Sequence, residues 1–363
     1  MKKRIVSLAL ALMMCFSLSV TAFAEDTNQL TDQEFIAERL STKLLSMVST
    51  GDFGITPNNL YNLYVGNPIT VYILENGEIT DSYPQYPIIS DDSTSSEIIG
   101  LARVTEFEGE RLLDYGIDHA PEIQDYLDEN GDIPLALVYA ENEFFITDPT
   151  TQAVNFEPLE TASLQLMALP SSMQFTSIET TEKVNVPLQT YAAPSSTADY
   201  LAIDYVSQNG QPICWAACIA SIVNYHQDRG LRAVDVALVA NDLGYTDIVY
   251  SGVDITTSRK VINYYGGTNT VYLNKLSYST IKTNIGNDIP LFTEGYRYEG
   301  ITQKRHAVVI YGYEPSGTKT IYYMEPNSGM KAIDVPTTGT IIFNGATTSY
   351  TYTNDKYMTC KVV

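Results

Sequence analysis

Residues 208–225 read Q-N-G-Q-P-I-C-W-A-A-C-I-A-S-I-V-N-Y, and the second half of the chain takes its meaning from this stretch. Asn209-Gly210 and Pro212 force a turn. From Cys214 onward, small and apolar residues run without a breaker until Gly230, which predicts a buried helix of about four turns. Cys214 therefore falls at a helix start, where unpaired N–H groups and the positive end of the dipole stabilise an anion. A thiol held there has a lowered pKa, and its thiolate is a nucleophile. Cys218, one turn further in and flanked by Ala217 and Ile219, reads instead as a buried structural cysteine.

Gln208 precedes Cys214 by six residues, across that turn. A thiolate attacking a carbonyl creates an oxyanion, which needs donors fixed in advance. The N–H of Cys214 can supply one and a Gln208 amide folded back across the turn another. A base is also needed. His306 opens the apolar stretch H-A-V-V-I-Y-G-Y, predicted as a core strand, so it is expected at the rim of a sheet. His226 lies twelve residues along the Cys214 helix, too far to touch the thiol. The next predicted strand, Thr320–Met324, ends in Glu325-Pro326-Asn327, and either Glu325 or Asn327 can orient the imidazole.

Around these residues the expectation is a strand over Tyr200–Val206 and helices over 233–242, 256–265 and 277–285. Strands follow over Leu291–Thr293, Ala307–Tyr313 and Thr320–Met324, with a turn at Glu314-Pro315-Ser316-Gly317. Helices first and an antiparallel sheet afterward make an α+β fold.

The combination Q-x5-C-W-A, then H-A-V-V-x-x-G-Y, then a strand closing on an acid beside Pro, resembles the papain superfamily. Its compact bacterial branch is the most similar: staphopains, bacteriocin-processing peptidases and effector cysteine peptidases. The resemblance covers residues 196–363 and implies a thiol protease. It assigns Cys214 as nucleophile, His306 as base, Gln208 as oxyanion donor, and Glu325 or Asn327 as the third member. Those relatives commonly place Asn or Asp before the Pro, so Glu325 is a departure.

The chain starts with the basic M-K-K-R, an apolar run from Ile5 to about Val20, and Ala22-Phe23-Ala24. These are the parts of a secretory signal, expected to span 1–24. Three cysteines then remain, Cys214, Cys218 and Cys360, so at least one thiol is unpaired. The net charge of −22 is concentrated early: residues 25–195 hold 29 acidic against 5 basic residues, and 196–363 hold 14 against 13. Acid this dense argues against nucleic acid as a partner.

Residues 25–157 are expected to form a separate α+β pro-domain. It should hold a helix over 30–50 closed by Gly51, an Asn76-Gly77 hairpin, strands at 98–104, 135–139 and 143–147, and a short helix over 120–127. His119 reads as a surface residue. A Ser/Thr/Ala/Pro-rich linker with a processing site is expected over 158–199, then the peptidase domain over 200–363. The pro-domain is expected to act as an intramolecular inhibitor of a secreted zymogen, with no cofactor, no metal, and no membrane contact once the signal is removed. Two other readings use the same residues: a peptidoglycan amidase or endopeptidase, and a non-catalytic binding protein on this fold.

Overall fold

The computed structural model describes residues 30–91, 95–140, 143–156, 165–178, 183–187, 198–315, 317–345 and 351–362. The signal expected over 1–24 and much of the linker expected over 158–199 lie outside them, as does Ser316 of the predicted turn.

The N-terminal half opens with two helices, α1 (Asp32–Ser41) and α2 (Leu44–Thr50), where the pattern predicted one. Thr31 caps α1 in a capping box with Glu34. The interruption falls at Thr42-Lys43, because Lys43 turns inward and places its ammonium 2.7 Å from the buried Asp334. Gly51, at φ +76°, closes α2 as expected.

Seven strands follow: β1 (Leu63–Val65), β2 (Ile69–Glu75), β3 (Glu78–Asp91), β4 (Ser96–Phe107), β5 (Glu110–Gly116), β6 (Ala136–Ala140) and β7 (Glu143–Thr147). Asn76 and Gly77 both take positive φ in the β2–β3 turn, the geometry that the Asn-Gly pair favours. Helix α3 (Ala120–Asn130) carries the chain from β5 to β6, and β6 lies parallel to β2. The N-terminal sheet is therefore mixed rather than purely antiparallel: after α3 the chain runs opposite to β5 and enters beside β2 in the direction of β2. His119 is no surface residue. Its ring stacks on Phe144 with centroids 3.7 Å apart. Within 158–199, β9 (Gln165–Ala168) pairs with β8 (Ala153–Phe156), and β10 (Val184–Asn185) pairs with β1.

The second half starts with β11 (Asp199–Tyr200), which pairs with β14 below; the strand expected over 200–206 is limited to these two residues. Residues 201–206 instead run across the molecule to the Cys214 turn. Then come α4 (Cys214–Gln227), α5 (Ala233–Asp242), α6 (Ile255–Tyr264), β12 (Gly267–Tyr272) and α7 (Tyr278–Ile285). Strands β13 (Leu291–Glu299), β14 (Thr302–Glu314), β15 (Thr320–Glu325), β16 (Gly329–Asp334), β17 (Ile342–Asn344) and β18 (Thr351–Val362) complete it. The β13–β14 hairpin extends well past the apolar residues that predicted it. Its outer part, including Tyr298 and Ile301, is solvated, so no apolar run announces it. His306 is thus the fifth residue of β14 and not the first.

The strand order β12-β18-β13-β14-β15-β16-β5-β4-β3-β2-β6-β7 makes one continuous sheet across both halves. The joint is the antiparallel pair β16–β5, with Lys331 opposite Gly116 and Ile333 opposite Asp114. The largest apolar cluster runs through it: the Phe53 ring lies 6.0 Å from Tyr115 and 5.5 Å from Tyr322. Strand pairing thus joins the region expected as an N-terminal domain to the second half in one sheet. The charge contrast suggested two independent pieces, but the acidic residues at the joint are buried against Lys43 and Lys331.

Candidate active site

Cys214 is the first residue of α4, and Ile213 before it supplies no side-chain cap. The helix bonds begin with the N–H groups of Ala216 and Ala217 on the Ile213 carbonyl. The Cys214 and Trp215 N–H groups at the helix start have no carbonyl one turn back to meet, so they face an anion held at the sulfur. Trp215 anchors this end, its Nε1 donating to the Ser251 carbonyl at 2.8 Å. Cys214 is partly exposed, whereas Cys218 and Cys360 are fully buried and all three are free thiols. Burial pushes the Cys218 thiol well above its ordinary value and that of Cys360 up to about 12, so both stay protonated and inert at neutral pH.

His306 faces Cys214 across the site, near enough for the sulfur to act on its protonation. Its Nε2 lies 2.5 Å from Glu325 Oε1, which leaves Nδ1 for the sulfur. The ring rests against Phe343 and Tyr352, which stack on each other with centroids 5.7 Å apart. Gly295 is the cross-strand partner of His306, and a Cβ there would come within 2.6 Å of the Phe343 ring. The missing side chain is what lets the aromatic floor approach the imidazole. Burial alone would lower the imidazole pKa. Its neighbours Cys214 and Glu325 together outweigh burial and hold it well above the usual value. The arrangement favours a protonated imidazole facing Cys214.

Glu325 ends β15 with no exposed surface. Its Oε2 accepts the Asn327 N–H at 2.9 Å and the Ser328 hydroxyl at 2.8 Å. Burial would raise this carboxyl, but the His306 bond and charge, Lys331 and Ser328 overcome it and hold the pKa below the ordinary carboxylate value. Of the two alternatives that the sequence left open, Glu325 bonds the imidazole. Asn327 touches the set only through its backbone, in the tight turn after Pro326.

Gln208 is drawn in by the same turn. Its N–H donates to the Pro326 carbonyl at 2.8 Å, so the loop before Cys214 is tied to the segment after Glu325. The side-chain Nε2 donates to the Gln211 carbonyl at 2.8 Å. An amide nitrogen carries two hydrogens, so one remains for a substrate oxygen. The structure thus brings the five sequence-predicted residues together: His306 bonded to Glu325 and facing Cys214, with Gln208 tied to Pro326 and the Asn327 N–H to Glu325.

Sequence reasoning missed Ser328 and Lys331, which steady Glu325. A serine three residues past a strand-end acid was the available signal for the first. Nothing local marks the second.

A free sulfur at a helix start, an imidazole on the facing strand and a buried carboxylate behind it make an arrangement suited to thiol hydrolysis. Residues 200–357 match the model of the Peptidase_C39 like family, a domain of the papain-like cysteine peptidase superfamily. This domain indicates a cysteine peptidase, and peptide-bond hydrolysis is the activity that it implies. No curated protein matches the chain.

Proposed function

We propose that the protein is an exported cysteine endopeptidase made as a zymogen, with Cys214, His306, Glu325 and Gln208 as its machinery. The observation that carries this is Cys214 at the start of α4 facing His306, whose Nε2 lies 2.5 Å from the fully buried Glu325. In the reaction, the Cys214 thiolate attacks the carbonyl carbon of a peptide bond. The resulting oxyanion is met by the Cys214 N–H and the free N–H of the Gln208 amide. Imidazolium His306 gives its proton to the departing amine, forming the acyl-enzyme. It then takes a proton from water, which releases the acid and regenerates the thiolate. Glu325 keeps the ring aligned and its charge balanced throughout.

Export is supported by the basic-apolar-small pattern of residues 1–24. The zymogen reading is supported by the charge step between the halves and by the Ser/Thr/Ala/Pro-rich residues 188–197. The shared sheet means that a cut there would leave the two pieces associated, so activation would proceed by nicking and rearrangement near the cut.

Purified residues 25–363 should degrade casein and leave peptidoglycan intact, with Cys214→Ala as the inactive control. Digestion of peptidoglycan without casein would replace this reading with the amidase alternative. Following the chain on a gel as activity appears tests the zymogen: maximal activity of the uncut chain would refute it.

A further inference from the structure

Glu325 and Lys331 lie on one face of the β15–β16 hairpin: Glu325 pairs with Gly329 and Tyr323 with Lys331, two residues apart on each strand. Lys331 is only 3% exposed, and its ammonium reaches out of the catalytic half altogether. It meets Asp118 at 3.1 Å and Asp114 at 3.7 Å, both from the N-terminal half. Asp114 is held in turn by Arg103 at 3.2 Å, by the Asn344 amide at 2.9 Å and by the Tyr323 hydroxyl at 3.4 Å. Asp118 takes φ +44°, a left-handed conformation uncommon for a residue with a side chain, at the turn that leads into α3.

A lysine buried this deeply stays charged only while carboxylates face it. The groups facing Glu325 are His306 from β14, the Ser328 hydroxyl and Asn327 N–H from the following turn, and Lys331 from β16. Behind Lys331 stand Asp114, Asp118 and Arg103, and the Tyr139 and Tyr205 phenols lie within reach of the Glu325 field. Three cations, Arg103, Lys331 and imidazolium His306, face three carboxylates, Asp114, Asp118 and Glu325, and the set draws on both halves of the chain.

We infer that the N-terminal half is a working part of the catalytic site, in which Asp118 and Asp114 clamp Lys331 as a positioning residue for Glu325 and hence for His306. This rests on the peptidase reading above and adds to it a role for the acidic half other than inhibition. Strand β5, Lys331 and its two carboxylates form a permanent joint, so the acidic half stays with the peptidase whether or not the linker is cut.

The test reads Cys214 directly, through the rate of its alkylation by iodoacetamide against pH in residues 25–363. Removing the Lys331 charge weakens support for both Glu325 and the thiolate. Lys331→Met should therefore move the acid limb of the alkylation profile upward by about one pH unit, while Lys331→Arg should restore it. Should Lys331→Met fail to fold, the double variant Asp118→Asn/Lys331→Met, which leaves Asp114 with Arg103, should fold and show the same displacement. A folded variant whose acid limb coincides with that of the unaltered chain overturns the inference.

In a second arm, a specific cleavage sequence is placed within residues 188–197. The nicked halves should co-elute on size exclusion with the alkylation profile unchanged. Release of the N-terminal fragment with that profile retained would also overturn the inference. Casein hydrolysis by the unaltered chain tests the peptidase reading separately, because alkylation does not depend on it.

Discussion

Glu325 holds His306 with one carboxylate oxygen, at 2.5 Å from Nε2, and braces itself with the other on the Asn327 N–H and the Ser328 hydroxyl. The two residues at the end of the strand thus have unequal work. Glu325→Gln removes the charge that stabilises imidazolium and should lower kcat on the order of a hundredfold. Asn327→Ala keeps the backbone N–H and should retain nearly full activity. Ser328→Ala leaves a buried carboxylate oxygen one donor short, which should cost about 2 kcal/mol of stability with a smaller effect on turnover. Denaturant titration and steady-state kinetics on the three variants separate these effects. Loss of activity in Asn327→Ala with Glu325→Gln intact would reverse the assignment.

Iodoacetamide at neutral pH should label Cys214 alone in the folded chain. Cys218 and Cys360 are fully buried thiols whose pKa values burial has raised, so mass spectrometry after a short pulse should find them unmodified. Cys214→Ala should abolish hydrolysis, and Cys218→Ala should keep most of it.

Gln208→Ala should lower kcat by about a hundredfold or more and leave KM nearly unchanged, because an oxyanion donor acts in the transition state. Its backbone bond to Pro326 survives the substitution, so the loop should keep its place. A change confined to KM would assign Gln208 to substrate binding instead.

Glu294, on β13 beside Gly295, supplies a pH dependence of a different kind. Its Oε2 is buried without a hydrogen-bond partner among the described residues, 3.7 Å from Arg305. Burial raises its carboxyl from 4.5 to about 7, with Lys356 and Arg305 offsetting only part of that. A folded pKa above the unfolded one means that the native state binds the proton more tightly. The stability from this group is full below pH 4.5 and is lost as pH rises through 7. Glu294→Gln should accordingly raise the melting temperature at pH 8 by a few degrees and change it little at pH 4.5. An equal shift at both values would show that Glu294 does not titrate in this range.

The site was legible where chemistry is local. A turn feeding a helix places Cys214, and α4, α5, α6 and α7 all start within a residue of where the apolar pattern puts them. Asn76-Gly77 fixed its hairpin for the same reason. The choice between Glu325 and Asn327 was not legible, since it depends on which atom a tight turn delivers. Nor was the joint between the halves. Strand β5 reads Glu-Arg-Leu-Leu-Asp-Tyr-Gly over 110–116, and Glu110, Arg111 and Asp114 break its apolar pattern. A carboxylate such as Asp114 looks solvated until its partners, Arg103 and the distant Lys331, are known. The sum of charges suggested two bodies, when part of that charge is sealed inside one.

The joint also orders events in time. The Leu113 N–H bonds the Asp334 carboxylate across 221 positions of chain, and Lys43 reaches the same carboxylate from still further back. Contacts so distant in sequence close late and slow the search for the native state. A ribosome or a translocation channel that has delivered the first 300 residues has supplied Cys214 but neither His306 nor β16. The nucleophile emerges long before its base, and the carboxylates that steady them both must wait, with their strand edge open, for about the last tenth of the protein.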